Sequence, residues 1–185
     1  KAPYIARTAG TRTFPWRIVT IDPDDRTLLE NYLPYQLARP AVAGDASWVR
    51  PGKISWEWWH MLNLYGVDFR AGVNTETYKY YIDFAARFGI EYILLDEGWS
   101  VSTLNIREPR KEVDLQELIR YGREKGVGVI LWTLWNPMKK DLEGILDTYR
   151  AWGVKGIKID FMQRSDQEMV RFYDRIARAA FDRGL

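Results

Sequence analysis

Two short stretches hold the side chains best suited to chemistry. In "GIKID" (Gly156–Asp160) a lysine and an aspartate sit two residues apart near the end of an apolar run. Side chains alternate along a strand, so Lys158 and Asp160 share one face while Ile157 and Ile159 share the other. A nearby ammonium favours the ionised carboxylate, and a carboxylate nucleophile has to be ionised at neutral pH. Two duller readings stand beside this one: a structural ion pair, or Asp160 capping the next helix. The second is weakened by "SDQE", where Ser165 and Glu168 read as a capping box of their own.

The second stretch, "LLDEGW", offers Asp96, Glu97 and Trp99. The two carboxylates can accept hydrogen bonds from sugar hydroxyls while the indole ring packs on a sugar face. A turn with Gly98 at positive φ and a solvated acid pair is the alternative. The tryptophans cluster elsewhere too, in "WEWWH" with Trp56 and in "LWTLWNP" with Trp135. Trp132 alternates outward by parity. Carboxylates have to carry any acid–base work, because the 185 residues contain one histidine, His60, and no cysteine. Thiolate sites, disulfides and metal sites built on several histidines are thereby excluded. His60 reads as a buried, hydrogen-bonded residue rather than a catalytic one.

An internal repeat places these groups. "FGIEYILLD", "KGVGVILWT" and "WGVKGIKID" each open on a glycine followed by an apolar run. The seventh residue after the glycine is Asp96, Thr133 and Asp160 in turn. Gly89, Gly126 and Gly153 close helices predicted from 3.6-residue periodicity and from caps such as Asp114. The runs between them are near-continuously apolar, as parallel strands buried on both faces are. With "KISWEWW" as the first strand, four βα units run from residue 51 to 185. Such an array is either half of an eight-unit barrel or an open doubly wound sheet, and no Gly-rich phosphate fingerprint follows any strand. In a barrel, Asp160 and Asp96 lie at the C-terminal mouth, where active sites of that fold occur. Residues 1–50 read differently, with strands in "RTFPWRIVTI" and "LLENYLPYQLARP", as the end of a preceding β domain and a linker. The net charge of +2 gives no reason to expect nucleic acid or an anionic membrane, and the longest apolar runs are too short for a span of roughly 20 residues.

Taken together, "PGKISWEWW", "YYIDFAARFGIEYILLDEGW", "DLQELIRYGREKGVGVILW" and "GIKIDFMQRSDQ" closely resemble glycoside hydrolase family 97 from about Ser47 onward. The "KID" and "DEGW" elements also resemble the related retaining α-galactosidase clan. The resemblance implies an α/β fold: the first half of a (β/α)8 TIM barrel, preceded by the end of an N-terminal β-sandwich. The rest of the barrel and a C-terminal β domain would lie outside this chain. It implies a bacterial enzyme acting on oligosaccharides, periplasmic or secreted. The family contains inverting α-glucosidases and retaining α-galactosidases. Retaining members use an aspartate at the end of the fourth strand as nucleophile, which matches Asp160. Inverting members use a glutamate near the third strand, where this chain reads "LWTLWNP". The expectation is therefore a retaining α-galactosidase with Asp160 as nucleophile. Lys158, Asp96, Glu97, Trp99, Trp56 and Trp135 would shape the sugar subsite. An α-glucosidase, or a carbohydrate-binding barrel without catalysis, is the alternative. The resemblance also implies calcium, held largely by glutamates outside this segment, and an acid/base glutamate further along the barrel. Without that glutamate the chain alone is expected to be inactive.

Overall fold

The computed structural model describes residues 3–13, 17–40 and 44–185. Four strands form one sheet: β1 (Ile54–Trp56), β2 (Tyr92–Leu95), β3 (Gly128–Leu134) and β4 (Gly156–Asp160). They lie in sequential order, and every pair is parallel. Among the described residues seven helices accompany them: α1 (Asp25–Leu28), α2 (Leu33–Leu37), α3 (Thr75–Arg87), α4 (Leu115–Lys125), α5 (Trp135–Lys140), α6 (Leu142–Trp152) and α7 (Gln167–Phe181). This is the βα succession of half an eight-stranded barrel.

The helices form where the sequence signals them. Asn74, Asp114 and Asp141 accept the N–H of the residue three positions on, so each satisfies a free donor of its helix. Gly126 and Gly153 close α4 and α6 with φ of 75° and 88°, a backbone that side chains other than glycine rarely adopt. At α7 the cap is Asp166, which accepts from Met169 N–H, and not Ser165 as expected. Glu168 turns outward to Lys139 and Arg164.

The core lies on one face of the sheet. Ile93, Leu95, Val129 and Leu131 pack under Ile82 and Ala85 of α3, Leu118 of α4 and Leu146 and Tyr149 of α6. Ile157 and Ile159 join them from β4. The other face carries Trp56, Leu94, Trp132, Lys158 and Asp160, and corresponds to the barrel interior.

The pairing shows a stagger that counting from the glycines hides. Tyr92, three residues after Gly89, pairs with Gly128, two after Gly126. Ile130, four after Gly126, pairs with Gly156, three after Gly153. Each strand slips about one residue past its neighbour, the shear of a closed eight-stranded barrel. One residue also exchanges faces. Thr133, equivalent to Asp96 by count, therefore faces the helices and is fully buried, while Trp132 faces the interior.

The two strands expected in the N-terminal segment need correction. Among the described residues of 12–21 and 28–40 there is no strand; residues 14–16 lie outside the description. Asp24 caps α1 by accepting from Arg26 N–H, and Pro34 opens α2. Cap and proline signals outweigh the apolar content there. The segment meets the barrel half through α7, where Gln167 N–H donates to the Ile5 carbonyl at 3.0 Å. Among the described residues no helix is long and apolar enough to cross a membrane.

Candidate active site

The interior face ends in a charge-paired cluster built from three strands. Lys158 projects from β4, and its Nζ lies 2.9 Å from Asp96 Oδ2 and 3.4 Å from Asp160 Oδ2. Asp96 follows the end of β2. Its Oδ2 also accepts the Trp56 indole N–H at 2.7 Å, and its Oδ1 accepts Glu97 N–H at 2.8 Å. The Lys158 ammonium sits over the Trp56 ring, 4.4 Å from its centroid. Trp56 in turn stacks on Trp58 with centroids 5.3 Å apart. One ammonium is thus shared by two carboxylates and seated on an aromatic face, which compensates its removal from water.

Asp160 stands at the open edge of this cluster, its side chain 38% exposed. Phe161 has a left-handed backbone (φ 56°), and its N–H donates to Asp160 Oδ1 at 2.8 Å. The Trp132 indole N–H donates to Oδ2 at 3.1 Å. Partial burial alone would push this carboxyl up. The donors from Phe161, Trp132 and Lys158 outweigh it and hold Asp160 below the ordinary aspartate range. The result is an ionised carboxylate, fixed through both oxygens and open to a ligand.

Beneath Asp96 lies a second buried acid. The chain leaves β1 through a 3-10 turn, Glu57–His60, which turns Glu57 inward; it is 2% exposed. Its Oε1 accepts Asp96 N–H at 2.7 Å and the Tyr78 hydroxyl at 3.4 Å, and its Oε2 accepts Trp58 N–H at 3.2 Å. Burial, the largest influence, pushes its carboxyl up to about 7, with the Asp96 charge adding to the rise and the backbone donors opposing it.

The structure thus brings together Asp160, Lys158, Asp96 and Trp56 of the residues singled out from the sequence. Glu97 is exposed beside them. Trp99 and Trp135 lie elsewhere. Trp99 is fully buried, donates its indole N–H to the Trp132 carbonyl at 2.8 Å and packs edge-on against Tyr149 and Trp152. It supports the mouth from below and presents no face to a ligand. Trp135 opens α5, packs edge-on against Phe172, and lies between Lys139 and Arg164. It lines a cleft of about 520 Å³ shared with the N-terminal segment, away from the cluster. His60 is exposed rather than buried. Two residues at the site escaped the sequence reading, Trp132 and Glu57. No sequence signal marks Trp132, whose facing follows from the one-residue stagger of the paired strands; Glu57 lies just beyond the strand, where alternation ends.

Calcium finds no cage among the described residues, since no three acidic or histidine side chains converge. Asp96 and Asp160 share the Lys158 ammonium, which occupies the place a cation would take between them.

Comparison with known proteins places the chain in a family. Residues 58–185 match the family model of glycoside hydrolase 97. A retaining alpha-galactosidase of Bacteroides thetaiotaomicron is 47% identical over 175 residues, covering 94% of this chain and 26% of that protein. A probable retaining alpha-galactosidase of Streptomyces bingchenggensis is 34% identical over 173 residues, covering 90% of the chain and 26% of that protein. The chain therefore spans about a quarter of the length of these relatives. A family 97 enzyme from Pseudoalteromonas sp. strain K8, solved in complex with acarbose, superposes with a TM-score of 0.69 at 24% identity, over 81% of this chain and 28% of that one. A beta-arabinopyranosidase structure gives 0.62 at 30% identity, over 83% of this chain and 24% of that one. The chain belongs to glycoside hydrolase family 97.

Proposed function

We propose that this segment supplies the nucleophile half of a retaining α-galactosidase. The observation that carries the reading is Asp160: a carboxylate at the end of β4, held ionised by Lys158, Trp132 and Phe161 N–H, and open at the mouth. The names of the 47% and 34% identical relatives point to the same reaction and the same sugar. Asp160 attacks the anomeric carbon from the face opposite the aglycone. The glycosidic C–O bond breaks as the new C–O bond to Asp160 forms, and a general acid protonates the departing oxygen. Water then attacks the covalent glycosyl-enzyme, and retention follows from two displacements. Lys158 and Trp132 compensate the nucleophile's charge while it waits and release the oxygen as its electron pair forms the bond to the anomeric carbon, the displaced pair leaving on the aglycone oxygen that the general acid protonates.

The acid/base role goes to a carboxyl about 5–5.5 Å from Asp160. We assign it to a glutamate further along the barrel. Asp96 is unsuited, because its oxygens already receive Lys158, the Trp56 indole and Glu97 N–H. Trp56 and Trp58 provide a stacked aromatic wall beside the nucleophile for an apolar sugar face. A second reading, β-arabinopyranoside cleavage, is supported by the 30% identical structure. β-L-arabinopyranose is α-D-galactopyranose without its C6 hydroxymethyl group, so both fit the same nucleophile.

The direct test is Asp160→Gly in the full-length protein with an aryl α-galactoside and added azide. Turnover is expected to fall by about a thousandfold or more. Azide should restore it and give the β-galactosyl azide, because the small anion enters the vacated space. A variant that keeps wild-type turnover removes Asp160 from the role. Parallel aryl α-glucoside and β-L-arabinopyranoside substrates rank the sugars.

A further inference from the structure

A buried carboxylate is costly, and Glu57 is buried without a cation against it. No contact of the fold requires an acid there: Tyr78, Asp96 N–H and Trp58 N–H are all donors, which a neutral acceptor could meet singly. What the carboxylate alone can do is accept all of them at once, through both oxygens. The consequence reaches the nucleophile through a short chain of contacts. Glu57 Oε1 fixes the Asp96 backbone at 2.7 Å; Asp96 Oδ2 holds Lys158 Nζ at 2.9 Å; Lys158 Nζ stands 3.4 Å from Asp160 Oδ2. Trp56 and Trp58, on either side of Glu57 in sequence, complete the same cluster, one by its indole N–H to Asp96 and the other by stacking.

We infer that Glu57 is a positioning residue for the nucleophile, acting through Asp96 and Lys158, and that it does so as the ionised carboxylate. The inference rests on the reading of Asp160 given above. The titratable groups facing Glu57 are Asp96 from the end of β2 and Tyr78 and Tyr81 from α3, with Arg110 acting on Tyr78. Of its three donors, the Tyr78 hydroxyl can turn to accept, whereas Asp96 N–H and Trp58 N–H can only donate. A proton on Glu57 therefore removes the charge that strengthens the two backbone hydrogen bonds and loosens the hold on Asp96. Since the carboxyl is pushed up to about 7, this loosening sets in near neutral pH. It gives the pH–rate profile an acidic limb that Asp160, held below the ordinary range, does not supply.

The test is Glu57→Gln in the full-length protein, beside the wild type and Asp160→Gly. The amide keeps the size of the side chain, but its NH2 group opposes either Asp96 N–H or Trp58 N–H. We expect kcat on an aryl α-galactoside to fall about 10- to 100-fold, with KM changed by no more than about threefold, as for a misplaced reacting group. We also expect the acidic limb near neutral pH to disappear, leaving a low rate that stays level as the pH falls. A crystal structure of the variant should show Lys158 Nζ beyond the ~4 Å limit of an ion pair with Asp160. Wild-type kcat in Glu57→Gln, or an acidic limb that persists in it, overturns the inference. So does a variant crystal structure with Lys158 unmoved. The reading of Asp160 fails separately, if Asp160→Gly retains turnover; the crystallographic distance then still decides whether Glu57 positions Lys158.

Discussion

Glu57 and Asp160 are carboxylates of opposite character, and their surroundings account for the difference. Asp160 is partly open and receives an ammonium, an indole N–H and a backbone N–H. Glu57 is enclosed, and its nearest charge is the like charge of Asp96. Its folded pKa of about 7 lies above the reference value of 4.5. Between those values the folded protein binds the additional proton, so stability falls as the pH rises from 4.5 to 7 and is lowest above 7. The shift corresponds to about 3 kcal/mol. Relative to wild type, Glu57→Gln should therefore have a higher Tm at pH 8 than at pH 4.5. Parallel melting curves at the two pH values check this, and an equal difference at both would contradict it. Asp160, Lys158, Asp96 and Trp56 were legible in the sequence because strand alternation and the glycine repeat suffice to gather them. Glu57 was not, because the 3-10 turn after β1 breaks the alternation and only the folded chain shows which way the residue turns.

At the scale of elements, the site depends on how the strands slip past one another. The one-residue stagger brings Trp132 level with Lys158 in the β3–β4 pairing and turns Thr133 to the helices. Local sequence carries no record of this offset, which is a property of sheet closure; counting from the glycines therefore sets Thr133 level with Asp96 and turns Trp132 outward. The helices were far more legible, since Asp114, Asp141, Gly126 and Gly153 mark their ends by local chemistry. The N-terminal stretch misled for the same reason in reverse, its apolar content reading as strand where Asp24 and Pro34 start helical turns. Helix-to-strand packing makes a distinct demand at Gly122 in α4. Alanine in place of a helical glycine ordinarily gains about 1 kcal/mol. Here an added Cβ would lie 2.6 Å from the Val127 carbonyl oxygen, on the loop that leads into β3. Gly122→Ala should therefore destabilise, by about 1–3 kcal/mol. Chemical denaturation gives the sign, and a stabilised variant would mean that α4 shifts freely on the sheet.

For the whole molecule, four βα units build a mouth in which the carboxylate proposed as nucleophile, its cation and an aromatic wall come together. The wall and the charge come from different strands: Trp56 from β1, Asp96 from the end of β2, Trp132 from β3, Lys158 and Asp160 from β4. No single motif holds the site, so it exists only when the strands pair in register. Across this site the proposed reaction proceeds by two displacements, each inverting the anomeric carbon. The most direct measurement is proton NMR of an aryl α-galactoside during the first seconds of hydrolysis by the full-length protein, before mutarotation mixes the anomers. Release of α-galactose first is the expected result. Release of β-galactose first would mean a single displacement and would contradict the role given to Asp160.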